Sequence, residues 1–255
     1  MTASREARHA GRRPYPVWLA IVVVGIFVAP SLLTLASGPS TEVPQLTQRQ
    51  LVPSLVGSLV LQVVLFTVAL LPLLFTRRLD GRLFGSARPR WSARVWGAGV
   101  LTGVAATVGS YGANVALVAF TGSQEPVEQQ LLQDALTGGT VLLLVIVIAV
   151  VLAPITEEIV FRGIFFRALA DRLGAATGVI VSATIFAAIH IEVLRSQPLA
   201  LAGLFVIGAV LAEAYRRTGN LFVPVLGHAI FNATSLGLAV LLDRVARSTT
   251  TGLIG

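Results

Sequence analysis

Residues 152–163 read LAPITEEIVFRG, directly after the unbroken apolar run VLLLVIVIAVV at 141–151. Two adjacent carboxylates, Glu157 and Glu158, and a guanidinium, Arg162, thus stand in the same apolar helix. A charge at bilayer depth costs at least roughly 2.5–3.5 kcal/mol on insertion scales, so each such group needs a partner or a task. Glu158 and Arg162 are i,i+4, share one helical face and can neutralise each other. Glu157 lies about 100° round the helix from Glu158, has no such local partner, and should look towards another part of the bundle. Pro154 lacks the N–H that an interior helical residue donates, so it should bend the helix just before the pair.

The whole chain reads in the same way. Of 255 residues 55% are hydrophobic and only 12% charged, too few charged groups to coat a soluble surface, which places the fold class as all-α, a polytopic transmembrane helical bundle. Apolar segments near 17–36, 52–75, 95–120, 140–161, 175–194, 198–215 and 221–242 give about seven to eight spans. The basic start before residue 17 could open a signal peptide, but the apolar run that follows exceeds the roughly 7–15 residues of a cleavable segment, so it reads as a retained anchor.

The 19 basic residues are all arginine. With the N-terminus in the cytoplasm, fifteen of them fall on inner segments, among them Arg5 to Arg13 and Arg77 to Arg94, and four (Arg49, Arg195, Arg244, Arg247) on outer ones, which predicts a multi-pass cell-membrane protein of that orientation. The basic balance therefore reflects membrane insertion, and no nucleic-acid partner is expected. The expected parts are a basic cytoplasmic tail at 1–16, N-terminal helices and loops at 17–136, a catalytic helical core at 137–242 and a C-terminal tail at 243–255. Residues 126–136 read as a short amphipathic surface helix, and Gly99 with Gly103 as a close helix contact.

Two more polar sets lie inside apolar runs. His190 ends FAAIH, and the point midway in sequence between Glu157 and His190 falls between Leu173 and Gly174, inside the turn at 171–174, so an antiparallel hairpin puts the two at one level, about 25 Å from the turn at 1.5 Å per residue. His228 and Asn232, in GHAIFN, are i,i+4 on one face of the last helix. The bland alternative for each is a hydrogen-bonded packing residue, and it is the preferred one for Asn114, Ser182, Thr184 and Ser235 and for the pairs Glu213 with Arg217 and Glu192 with Arg195. Absence of cysteine removes thiolate nucleophiles and Cys-ligated zinc, and no GxSxG or HExxH occurs. Glu157, His190 and His228 could ligate a divalent metal such as zinc only if three helices assembled the set.

Three motifs, EExxxR at Glu157 to Arg162, FxxxH at Phe186 to His190 and HxxxN at His228 to Asn232, resemble those of the CPBP family, the CAAX-protease and abortive-infection group of intramembrane proteins. The likeness covers about residues 140–235. It implies a bundle with an active-site cavity in the membrane and an endopeptidase acting on a peptide or protein substrate. In that reading Glu157 and His190 activate water, His228 and Asn232 stabilise the oxyanion, and Glu158, Arg162 and Phe186 support the site. Members act as glutamate-dependent or as metallo-endopeptidases, and the resemblance leaves both open. Two other functions are compatible with the same residues: a non-proteolytic membrane protein conferring bacteriocin self-immunity or acting as a scaffold, and a proton-coupled transporter, whose relays also use intramembrane Glu and His.

Overall fold

A computed structural model of the chain describes residues 16–36, 48–76, 92–122, 139–190 and 200–252. The basic tail at 1–15, most of the arginine-rich loop, the surface helix expected at 126–136 and the Glu192 with Arg195 pair lie outside these described residues. Within them the chain forms seven helices: α1 (Val17–Ala36), α2 (Gln48–Phe75), α3 (Ala93–Thr121), α4 (Gly139–Leu173), α5 (Ala175–Ala188), α6 (Ala200–Thr218) and α7 (Phe222–Gly252). Four of these, α2, α3, α4 and α7, contain stretches long and apolar enough to cross a membrane. Helices are the outcome that lipid imposes, because every backbone N–H and C=O in an apolar run must be satisfied within its own segment.

Side chains such as Phe120, Leu101 and Val108 point outward, 68–90% exposed, the reverse of a water-soluble surface and the pattern of a lipid-facing one. The main core gathers around the second half of α4, where Val160, Phe161 and Ile164 are fully buried. Leu19, Ala20 and Val23 of α1 belong to it, and Phe27 meets the edge of Phe161 at 6.4 Å between ring centroids, so the first apolar run is an integral part of the bundle. A smaller core joins Leu51 and Leu55 of α2, Val141 and Val145 of α4 and Leu236 of α7.

Three helices differ from expectation in length. α4 runs to Leu173 because nothing in FRGIFFRALADRL breaks it, and it ends at Gly174, whose φ of 83° and ψ of 158° suit only glycine. α5 stops at Ala188, before His190, instead of continuing to 194. α7 continues to Gly252, beyond the expected end at 242, helped by an Asp243–Arg247 pair at 2.9 Å with i,i+4 spacing. The two short connections, at Gly174 and at Gly219 to Leu221, keep α4 beside α5 and α6 beside α7. Gly219, at φ 60°, donates to the Tyr215 carbonyl at 2.7 Å and so caps α6.

The GxxxG of α3 makes the expected close contact. A Cβ on Gly103 would stand 2.6 Å from Ile230 of α7, one on Gly99 2.6 Å from Leu226, and one on Gly227 2.7 Å from Thr102. Mutual absence of side chains therefore lets α3 and α7 touch along the face next to His228. Farther along α3, Asn114 Oδ1 accepts from Gly203 N at 3.1 Å, satisfying one of the first N–H groups of α6.

Candidate functional site: a buried cluster on α4, α5, α6 and α7

The chain direction of α4 carries its chemistry in an irregular stretch. Residues Ile146–Leu152 and Ile159–Phe166 are π-helical, with Ala153–Glu158 in ordinary α geometry between them. The first π stretch ends with Ala153 N donating to Ile148 O, an i→i+5 bond, and the next N–H in that ladder would come from Pro154. Proline thus terminates the wide register and starts the short α segment that holds both glutamates. π turns recur at functional sites because they rotate side chains out of the regular spacing.

Glu158 and Arg162 are both completely buried. Arg162 Nη1 donates to Glu158 Oε1 at 2.7 Å, as the i,i+4 spacing predicts, and Nη2 donates to the carbonyl of Gly208 on α6 at 2.9 Å. His228 Nδ1 donates to the same Glu158 Oε1 at 3.0 Å. Arg162 also lies over the ring of Phe186, its Cζ 4.6 Å from the centroid, a cation–π contact that desolvation strengthens. The Phe186 ring stands edge-on to Phe161 at 5.4 Å and to His228 at 5.8 Å, and tilted against His190 at 5.1 Å. The residue count from the α4–α5 turn that pairs Glu157 with His190 also pairs Phe161 with Phe186, so this ring contact supports the hairpin register one turn short of the two.

His190 sits just past the end of α5, where its Nδ1–H donates to the Phe186 carbonyl at 2.8 Å. That carbonyl is one of the last four of the helix, without an intrahelical donor, so the FxxxH spacing serves as a side-chain cap. A carbonyl can only accept, which assigns the proton to Nδ1 in the neutral ring and leaves Nε2 as a lone pair. The same reasoning holds for neutral His228, whose Nδ1–H faces a carboxylate. Two imidazoles are therefore oriented through Nδ1, each with Nε2 left over.

Glu157 is half-buried, and its Oε2 is buried without a hydrogen-bond partner among the described residues; Oε2 of Glu158 is likewise without one. Asn232 does not join the ion-pair cluster through its hydrogen bond: Nδ2 donates to the Ala149 carbonyl on α4 at 2.6 Å. Ser182 and Ser235, expected to bond within or between helices, have buried hydroxyls with no partner among the described residues, whereas Thr184 bonds the Ile180 carbonyl as expected. The Glu213–Arg217 pair forms at 2.6 Å and is joined by Arg216 at 2.5 Å. Gly208 and Ala149 contribute only carbonyls, for which no sequence pattern exists. A hint at Gly208 was its lack of side chain, since a Cβ there would meet the Ala183 backbone at 3.0 Å.

The metal ligand set considered for Glu157, His190 and His228 is not assembled. Among the described residues no group of three His, Cys, Asp or Glu side chains could hold a metal ion, and the carboxylate that His228 contacts is Glu158. No chemical step is therefore derived through a metal.

Comparison with known proteins bears on the same region. Residues 139–234 match the family model described as "Type II CAAX prenyl endopeptidase Rce1-like", in accord with the resemblance that the three motifs carry. The chain is 34% identical over 116 residues to an Escherichia coli protein named "Uncharacterized 24.3 kDa protein", covering 45% of this chain and 51% of that protein. It is 33% identical over 89 residues to "Putative membrane peptidase YdiL" of Bacillus subtilis (strain 168), covering 35% of this chain and 34% of that one. The matched stretch thus spans about half or less of each curated relative's length. No solved structure matches the chain.

Proposed function

With residues 139–234 matched to the Rce1-like, CAAX-protease family, we propose that the protein is an intramembrane endopeptidase that hydrolyses a peptide bond of a peptide or protein substrate with a water activated by Glu157 and His190. The observation that carries this reading is the convergence of EExxxR, FxxxH and HxxxN helices on one buried centre, in which Glu158, Arg162 and His228 are hydrogen-bonded together and the Phe186 ring links Arg162 to both imidazoles.

The division of labour between the two glutamates follows from their partners. Glu158 is fully buried and engaged through Oε1 by both Arg162 and His228, so it is the structural acid. Glu157 is half-buried, its buried Oε2 has no partner among the described residues, and neither Arg162 nor His228 hydrogen-bonds to it, so it is the carboxylate free to accept a proton from water. His190 brings the Nε2 lone pair that its Nδ1 bond to Phe186 leaves, and can share that proton and return it to the leaving amine. As the water oxygen bonds to the scissile carbon, negative charge develops on the carbonyl oxygen. His228 can donate from Nε2 in its imidazolium form, with the Glu158 carboxylate holding Nδ1–H on the other side.

The test uses the purified full chain in detergent micelles with a quenched-fluorescent peptide library to find a cleaved sequence. Glu157→Gln and His190→Ala should each lower kcat by about 10²–10⁴-fold, the range for general acid–base catalysis; the unfolding midpoint should stay near wild type for Glu157→Gln and fall for His190→Ala, which removes the donor to the Phe186 carbonyl. A Glu157→Gln protein that cleaves the same peptide at the wild-type rate would overturn the assignment.

A further inference from the structure

We propose that the layer between α2, α4 and α7 beside Glu157 is a substrate groove for an extended apolar peptide segment, whose backbone N–H groups bond to Gln62 and Ser235. This deepens the peptidase reading above and rests on it. The layer lies between the two cores. Leu51 and Leu55 of α2 share the smaller core with Val141 and Val145 of α4 and Leu236 of α7, whereas Ala69 and Leu73 share the main core with the second half of α4. Between them packing is incomplete: no residue of α2 from Val56 to Val68 is fully buried, and none of α4 from Ile146 to Ala153. Val147, Ile148, Ala149 and Val150 are all half-buried, although four consecutive residues point almost all the way round a helix, so a single lipid-facing side does not account for their exposure.

Two polar side chains stand at this layer with atoms that the described residues leave unserved. Gln62 is seven residues past Leu55 and seven before Ala69, hence on the same inward face of α2. Its Oε1 is buried without a hydrogen-bond partner among the described residues. The hydroxyl of Ser235, next to Leu236 and three residues past the Asn232 that meets Ala149, is in the same condition. Both belong to the level of the first π stretch, for Leu152 is seven residues past Val145 as Gln62 is past Leu55. An amide oxygen at bilayer depth has no water to turn to and is costly to leave unpaired.

The chemistry of the occupant follows from these groups. Gln62 Oε1 can only accept, so the occupant carries N–H donors, and the wall IVIAVVL requires the rest of it to be apolar. An extended peptide with apolar side chains offers both, whereas a helical one has its N–H groups engaged within itself. Leu152 precedes Glu157 by five residues, about 7.5 Å along α4, and an extended chain advances about 3.3 Å per residue, so Gln62 meets the amide roughly two residues from the bond that is cut.

Two measurements on the full chain in micelles test the groove. Gln62→Leu removes the unserved oxygen at similar size, and should raise the unfolding midpoint by about 2–8 °C. An unchanged or lower midpoint would overturn the proposal, because the oxygen would then have a partner within the folded chain. The second measurement is the Kd of a fluorescein-labelled decapeptide of alternating leucine and alanine, read by anisotropy in a Glu157→Gln background that stops cleavage. There Gln62→Leu should weaken binding about tenfold, and Ser235→Ala about 3–10-fold, the loss of one hydrogen bond each. N-methylation of alternate amides of the peptide should weaken binding to the protein with Gln62 intact and abolish its advantage over the Gln62→Leu variant. Equal affinity of the two proteins for the unmodified peptide, or an equal loss in both on methylation, would overturn the groove. Neither measurement needs turnover, so a failure of the groove is told apart from a failure of the peptidase reading, which the cleavage assay reports.

Discussion

At the scale of single residues, the ion pair of Glu158 and Arg162 is the group on which the site depends. Both side chains are fully buried, and the charge on Arg162 is compensated by one carboxylate, one carbonyl and the aromatic faces of Phe186 and Phe161. Removing one member of a buried pair leaves the other uncompensated, at a cost of roughly 3–5 kcal/mol. Arg162→Met is therefore expected to destabilise the protein by about that amount, measured by denaturant unfolding in micelles, and Arg162→Met combined with Glu158→Leu by less than Arg162→Met alone. A double variant that is worse than the single would contradict the account. The i,i+4 geometry of this pair was legible in EExxxR because helical spacing alone puts both groups on one face. That the second acid takes no hydrogen bond from Arg162 was legible for the same reason. The third partner, His228, was not, since 70 residues separate it from Glu158 and no local periodicity relates them.

At the scale of elements, small residues and irregular turns decide how closely the helices approach. A Cβ on Gly103 would meet Ile230 at 2.6 Å and Gly227 O at 3.1 Å, so Gly103→Ala should overpack the α3–α7 contact at about 1–3 kcal/mol. Gly112, one helix with it, has nothing within 4 Å of such a Cβ, and Gly112→Ala should be neutral or stabilising by up to about 1 kcal/mol. Thermal unfolding of the two variants side by side checks the contrast, and equal effects would refute it. Gly174→Ala faces no neighbour but a φ of 83° that a side chain resists, and should cost about 1–3 kcal/mol by the same measurement. The elements themselves were largely visible as apolar runs. The π stretches of α4 were not, because each hydrogen bond there spans one residue more than in an α turn, and IVIAVVL and IVFRGIFF are apolar at nearly every position, so no pattern records the shift. Pro154 marked the place where a bend is expected, and the change from π to α geometry at Ala153 is what the structure adds.

At the scale of the whole molecule, the arginine distribution predicts which side of the membrane each loop occupies. The chain has no native cysteine, so single substitutions report topology without background. Ser123→Cys, before α4, should react with a membrane-impermeant maleimide in intact cells, and Ser86→Cys, between α2 and α3, only after the membrane is opened. The reverse pattern would invert the orientation. From the sequence alone come the helical class, the positions of the apolar segments, the i,i+4 pairs and the three motifs, because each is a matter of composition or of spacing within one helix. Only the tertiary structure decides that Glu158 and not Glu157 is engaged by His228, that His190 caps its own helix, and that Asn232 serves the Ala149 carbonyl. Spacing sets the face on which a side chain stands. What that face meets depends on how rigid helices pack, and therefore on small residues and backbone carbonyls that carry no chemical signature of their own.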